Sequence, residues 1–110
     1  RDNWYPTQVL GEQAPYQEKR VGVVAARARQ AFLEHYPIAL DAGEGTRIYR
    51  RIPFGPLVDV FSLDMRSYRG PNTHNRQPQS GADTAFMGSA QIAWLTEALT
   101  QSPATWKIIA

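Results

Sequence analysis

The chain has 110 residues, which is enough for one small domain. Apolar residues make up 43% of it, alongside 8 glycines and 8 prolines, so the composition is that of a globular protein rather than a disordered one. No run of residues approaches the roughly 18–20 apolar positions that a membrane span needs, and the lack of cysteine excludes disulfides and thiolate ligands.

The positive charges are nearly all of one kind. The net charge is only +2, but ten of the twelve cationic residues are arginine. Arginine suits two-pronged recognition of a carboxylate or a phosphate, and it keeps its charge when it is partly buried. A GC-rich genome would give the same excess, so the composition alone leaves both explanations open.

The first half of the chain predicts a loop, a helix and a turn. Residues 1–15 are punctuated by asparagine, proline and glycine, which favours a loop. A helical period over residues 16–36 begins after Pro15 and stops before Pro37. Its inner face is predicted to hold Val21, Val24, Ala25, Ala28, Phe32 and His35. The basic outer face is interpreted as solvated, with nucleic-acid contact as the alternative. Residues 41–45 are predicted to form a turn.

Two strands are expected next, at residues 47–54 and 57–63. The first alternates in polarity and is predicted to end at Pro53, and Gly55-Pro56 favours a tight reversal into a hairpin. The second is almost continuously apolar, which is typical of a strand that is buried on both faces. Asp59 interrupts that run, and a sheet-edge or capping role is the expectation for it.

The second half predicts a long loop followed by a helix and a strand. Residues 67–87 lack any period, and loops of this length often bind ligands or act as lids. Ser89 is the predicted N-cap of a helix that ends before Ser102-Pro103. Its inner face is predicted to hold Ile92, Leu95, Ala98 and Leu99, with Trp94 beside them. Residues 106–110 indicate an apolar strand.

This order of elements predicts an α/β fold whose last strand–helix–strand unit is a right-handed parallel crossover. The chain starts without methionine and stops inside an apolar strand. We therefore expect more polypeptide on both sides.

One stretch combines an acid with two arginines at a strand end. Asp64 follows the most buried strand, and Arg66 and Arg69 lie just beyond it. Ligands of covered α/β sheets gather beyond the carboxyl ends of strands, and paired arginines suit a phosphate. The aspartate could hold a metal, act as a base or orient a cation. The alternative is an internal ion pair between Asp64 and one of the arginines that only fixes the loop.

Asp2 and Asn3 form a second polar cluster. Their oxygens are the kind of ligand that Ca²⁺ or Mg²⁺ prefers, although a turn explains the dipeptide equally well. His74, in the long loop, has no second histidine or acid at a spacing typical of metal ligands, so it is interpreted as a loop residue.

Three stretches together resemble one family. RDNWYPTQ, LVDVFSLDMRSYRGPN and GSAQIAWLTEALTQSPATWKIIA are similar to the PhoD-like metallophosphoesterases, the alkaline phosphatase D family, and appear in the same order. In that family the first stretch follows an Asp-Asp-His-Glu metal motif. The resemblance implies that residues 1–110 are the central part, incomplete at both ends, of a four-layer α/β/β/α metallophosphoesterase sandwich.

The resemblance also implies an activity. Members of the family hydrolyse phosphate monoesters and often diesters with a multinuclear metal site, which holds iron and calcium in the best-known type. Most are periplasmic or secreted. Carried over by position, Asp64, Arg66 and Arg69 are the candidate catalytic residues, and Asp2 and Asn3 the candidate metal ligands. Asp2 stands where the family usually has asparagine.

Most metal ligands would then lie outside this chain, so the chain alone is expected to be inactive. Its implied partners are a phosphoester substrate and the remainder of the same polypeptide, with nucleic acid only as a substrate. The alternative is a non-catalytic α/β domain that binds a polyanion or is purely structural.

Overall fold

The computed structural model describes residues 2–38, 45, 47–74 and 76–110. They form two helices, three strands and one short 3-10 helix, so the predicted α/β class is confirmed. In chain order the elements are α1 (Val21–His35), β1 (Arg50–Phe54), β2 (Val58–Ser62), the 3-10 helix (Ala82–Thr84), α2 (Ser89–Gln101) and β3 (Trp106–Ile109). Of the turn predicted at 41–45, only Gly45 lies within the described residues.

The strands form one sheet in the order β1-β2-β3. The expected hairpin between β1 and β2 is confirmed, with antiparallel pairing and with Gly55 in the left-handed region at φ 66°. Pro53 lies inside β1, opposite Asp59, so the prediction that it ends the strand is wrong. An outer strand tolerates proline because an N–H that points away from the sheet needs no partner.

Strand β3 pairs with β2 in parallel, as the sequence predicted. Because β2 is therefore the central strand, the expected sheet-edge position of Asp59 is wrong. Asp59 is 1% exposed, and its carboxylate accepts a hydrogen bond from Ser102 Oγ and forms an ion pair of 2.7 Å with Arg51 Nη2. It thus joins β2 to β1 and to the end of α2.

The two faces of the sheet differ in cover. On one face Phe61 is fully buried, with its ring 6.5 Å from that of Trp94 on α2. The opposite face carries the apolar side chains of Ile52, Phe54, Trp106 and Ile108, which are 46–77% exposed. We call these four residues the open sheet face. The prediction that β2 is buried on both faces is therefore wrong for the described residues, because α2 covers only one side.

The first helix is shorter than predicted. It begins at Val21 rather than at residue 16, because the preceding segment is held extended by pairing with an earlier one. The Leu10 N–H donates to Lys19 O at 2.8 Å, and the Val21 N–H donates to Gln8 O at 2.9 Å. The sequence predicts His35 either packed on the inner face or at the end of the helix, and the structure has it exposed at the helix end.

The second helix matches its predicted inner face except near its start, since Trp94, Leu95, Ala98 and Leu99 are half-buried as predicted. Gly88, with φ 78°, is at the N-cap, and Ser89 is the first helical residue. Ile92 is 52% exposed, whereas Gln91 is 1% exposed and takes the inner position. Neither described helix is long and apolar enough to cross a membrane.

Candidate functional site

The carboxylate of Asp64 closes a turn directly after β2. Asp64 is buried, and its Oδ1 accepts the backbone N–H groups of Arg66 at 3.0 Å and Ser67 at 2.8 Å. An aspartate that binds the backbone a few residues further on is a common way to fix a turn. The described residues show no ion pair between Asp64 and either nearby arginine. The contact that fixes this loop is therefore made to the backbone.

The side chain of Arg66 reaches the amino-terminal segment. Its Nη2 donates to Asn3 Oδ1 at 3.1 Å, and its Nη1 lies 3.4 Å from Trp4 O. Asn72 also donates through Nδ2 to Asn3 O. Asn3 has φ 51°, a left-handed conformation that asparagine tolerates better than most residues do. The structure therefore brings Asn3 to Arg66, which lies 63 residues later in the chain, and so to the turn that Asp64 closes.

Arg69 and Asp2 take other positions. The Arg69 guanidinium lies over the ring of Phe86, 5.0 Å from its centroid, which is a cation–π arrangement. Its Nε is buried without a hydrogen-bond partner among the described residues. Asp2 is exposed at the surface beside Asn3. Arg69 is therefore oriented by an aromatic ring, whereas Arg66 is oriented by oxygens.

The long loop after Asp64 is closed at its base. The Gly70 N–H donates to Ala85 O at 2.7 Å. A Cβ atom added at Gly70 would lie 2.4 Å from Ala82 O, and one at Gly88 would lie 2.9 Å from Tyr68 Cβ. Burial, together with nearby Tyr49 and Asp64, raises the pKa of Tyr68 and keeps that phenol neutral. These contacts hold the two ends of the loop together, while residues 71–74 at its tip are exposed.

Sequence reasoning missed the side chain that supports the turn. Gln91 on α2 binds the backbone of Asp64 through both its oxygen and its nitrogen. The available signal was a polar residue four positions before Leu95 and seven before Ala98, on the face that points inward.

A cleft of about 330 Å³ opens beside the turn. Most of its lining is apolar and comes from α1, with Ile48 opposite. Trp4, whose carbonyl faces Arg66, and Ser67, whose N–H binds Asp64, both line it, as does the half-buried Arg29. The cleft therefore adjoins the residues that the sequence singled out.

The residues present do not by themselves form a metal centre. The described part of the chain holds no group of three or more histidine, aspartate or glutamate side chains placed to share an ion. Asn3 Oδ1 accepts a hydrogen bond from the cationic Arg66, so this oxygen faces a positive charge. A pair made of Asp2 and Asn3 is therefore a poor fit for a metal in this arrangement.

Comparison with known proteins agrees with the geometry. A family model described as PhoD-like phosphatase matches residues 1–110. A solved structure titled "Structure of PhoD" is similar to this chain, with a TM-score of 0.69 and 26% sequence identity. The similarity covers 99% of this chain and 22% of that one. No curated protein matches. Since the family model matches the chain from end to end, the chain belongs to the PhoD-like phosphatase family.

Proposed function

We propose that the intact protein hydrolyses phosphate monoesters and diesters, and that Arg66 and Arg69 bind the phosphoryl group. Family membership supports a phosphoester substrate. The observation that carries the residue assignment is the guanidinium of Arg66, held by Asn3 and Trp4 just beyond the carboxyl end of β2.

Arg66 retains the capacity to bind an anion. A guanidinium has five N–H donors, and the described residues engage two of those on Arg66. Both partners are neutral oxygens, which orient the group without neutralising its charge. Such a group is prepared to stabilise the charge that develops on phosphate oxygens in the transition state.

Arg69 would contribute in a different way. Its guanidinium lies over the ring of Phe86, and its buried Nε has no partner among the described residues. Asp64 would act on the substrate indirectly, because its Oδ1 is engaged by the turn.

We propose that the intact protein binds iron and calcium, and that residues outside this chain supply most of their ligands. The fit of Asp2 and Asn3 does not support a complete site here, and we derive no step from a metal. By the same family likeness we propose that the intact protein is exported to the periplasm or beyond. Fractionation of cells that produce it would check this.

A turnover assay of the intact protein tests the function. We expect release of nitrophenol from bis-p-nitrophenyl phosphate or from p-nitrophenyl phosphate, in the presence of added iron and calcium. No turnover of either ester, combined with binding of a polyanion that weakens steeply with salt, would favour the non-catalytic alternative instead.

A further inference from the structure

The side-chain amide of Gln91, at the base of the candidate site, has a hydrogen-bond partner for each of its donors and for its acceptor. Gln91 is 1% exposed. Its Oε1 accepts the N–H of Asp64 at 2.7 Å, and its Nε2 donates to Asp64 O and to Met87 O, each at 2.9 Å. Both hydrogens of the amide nitrogen and the amide oxygen therefore have partners.

These contacts continue the sheet's hydrogen bonding beyond its last strand pair. Backbone pairing continues for one residue beyond β2 and β3, because the Leu63 N–H donates to Ala110 O at 2.8 Å. At Asp64, one residue later, the amide of Gln91 replaces a strand as the partner of both the N–H and the C=O. An apolar side chain of similar size would fill the space but leave the buried N–H and C=O of Asp64 and the half-buried C=O of Met87 unpaired, which proteins avoid.

We propose that Gln91 is a positioning residue that sets the direction of Arg66. By fixing the Asp64 backbone, Gln91 fixes the carboxylate whose Oδ1 binds the N–H groups of Arg66 and Ser67. By binding Met87 O, the same amide ties down the far end of the loop that follows. Its effect on catalysis rests on the proposed function, whereas its effect on the turn is measurable without any activity.

The test compares Gln91→Met with Gln101→Met in the intact protein. Gln101 is an exposed glutamine on the same helix whose side chain donates a hydrogen bond to Glu97, so it is a matched control. Hydrogen exchange is followed by mass spectrometry in a peptide that covers residues 64–67. Loss of the buried amide should speed exchange there at least about tenfold, because the turn opens more easily.

A kinetic cycle tests the link to Arg66. Gln91→Met should lower kcat/KM for a phosphodiester by about tenfold in the wild-type background, and by much less when Arg66→Ala is already present. A side chain that only stabilised the fold would lower kcat/KM by the same factor in both backgrounds. Gln91→Asn, which keeps a neutral amide on a side chain one methylene shorter, is measured in parallel so that a folded variant with weakened contacts is available.

The outcomes separate the two proposals. Unchanged exchange at residues 64–67 in a folded Gln91 variant would overturn the positioning role. Additive kinetic effects would likewise overturn the link to Arg66. Faster exchange in a protein that hydrolyses no phosphoester would support the positioning role and refute the proposed function alone.

Discussion

Two arginines of this chain have very different surroundings. Arg51 forms an ion pair with the buried carboxylate of Asp59, whereas Arg66 contacts the neutral oxygens of Asn3 and Trp4. A carboxylate neutralises a guanidinium, but an amide or carbonyl oxygen only orients it. Arg51 is therefore neutralised within the fold, whereas the contacts of Arg66 among the described residues leave its charge unneutralised.

Asp59 should make stability depend on pH. The hydrogen bond from Ser102, followed by the ion pair with Arg51, lowers the pKa of Asp59 below its ordinary value of 3.8. A lowered folded-state pKa stabilises the native state above the ordinary aspartate pKa, and this contribution is lost as the pH falls through the folded value. We expect Asp59→Asn to lower the Tm of the intact protein at pH 7, and to lower it less near pH 3.

The exposed Asp83 serves as the control for Asp59. Asp83→Asn should leave the Tm almost unchanged at both pH values. A Tm loss for Asp59→Asn that is equally large at pH 7 and pH 3 would show that its charge does not matter.

At the residue scale the sequence predicted that Asp64 and Arg66 lie just beyond a strand, and the structure places both directly after β2, because an acid and an arginine after an apolar strand form a local pattern. It did not reveal that Ser102, 43 residues away, meets Asp59. That contact depends on how the crossover helix returns to the sheet, which no local pattern encodes.

The loop between β2 and α2 has little regular structure, and close contacts hold it in its conformation. Gly70 is the tightest point, because backbone atoms of residues 82 and 83 occupy the space that a side chain would need. We expect Gly70→Ala to destabilise the intact protein by about 1–3 kcal/mol, since backbone cannot move aside as a flexible side chain can. Urea denaturation would measure this.

Gly11→Ala is the matched control for Gly70. A Cβ atom there would meet nothing within 4 Å, so the change should stay within about 0.5 kcal/mol. Equal effects of the two substitutions would contradict the close packing at the base of the loop.

The sequence predicted both helices, the hairpin and the parallel last strand, because each has a strong local signal. It placed the start of α1 too early, since the pairing of residues 8–10 with residues 19–21 competes with the helix. The sequence also predicted Ile92 on the inner face of α2, whereas the structure buries Gln91 there. Isoleucine is more hydrophobic than glutamine, so a pattern based on hydrophobicity places isoleucine at the buried position. The backbone N–H and C=O of Asp64 at the end of β2 need hydrogen-bond partners, however, and the amide of Gln91 supplies them.

The open sheet face concerns the whole molecule, because its four apolar side chains are exposed in the described residues. Exposed apolar patches of this kind mark surfaces that are covered by something else. The chain corresponds to 22% of the PhoD structure that it resembles, and we expect the remaining polypeptide of the intact protein to cover this face. The four-layer sandwich predicted from the family resemblance would supply such a cover.

Phe54→Asp tests that expectation. The side chain is 77% exposed in the described chain, so a charge there should cost little unless another segment packs on it. We expect a clear loss of Tm in the intact protein, and almost none for Gln13→Asp in the exposed amino-terminal loop. An unchanged Tm for Phe54→Asp would mean that the face is solvated.

The central claim is that the Arg66 guanidinium, held beside Asp64 by the amino-terminal segment, binds the phosphate. The most direct measurement is kcat/KM for a phosphodiester with the intact Arg66→Ala protein, set against Arg27→Ala on the exposed face of α1. Loss of charged hydrogen bonds to the phosphate predicts a fall of about 10–100-fold for Arg66→Ala and no change for Arg27→Ala. An Arg66→Ala protein that is as active as the wild type would contradict the account.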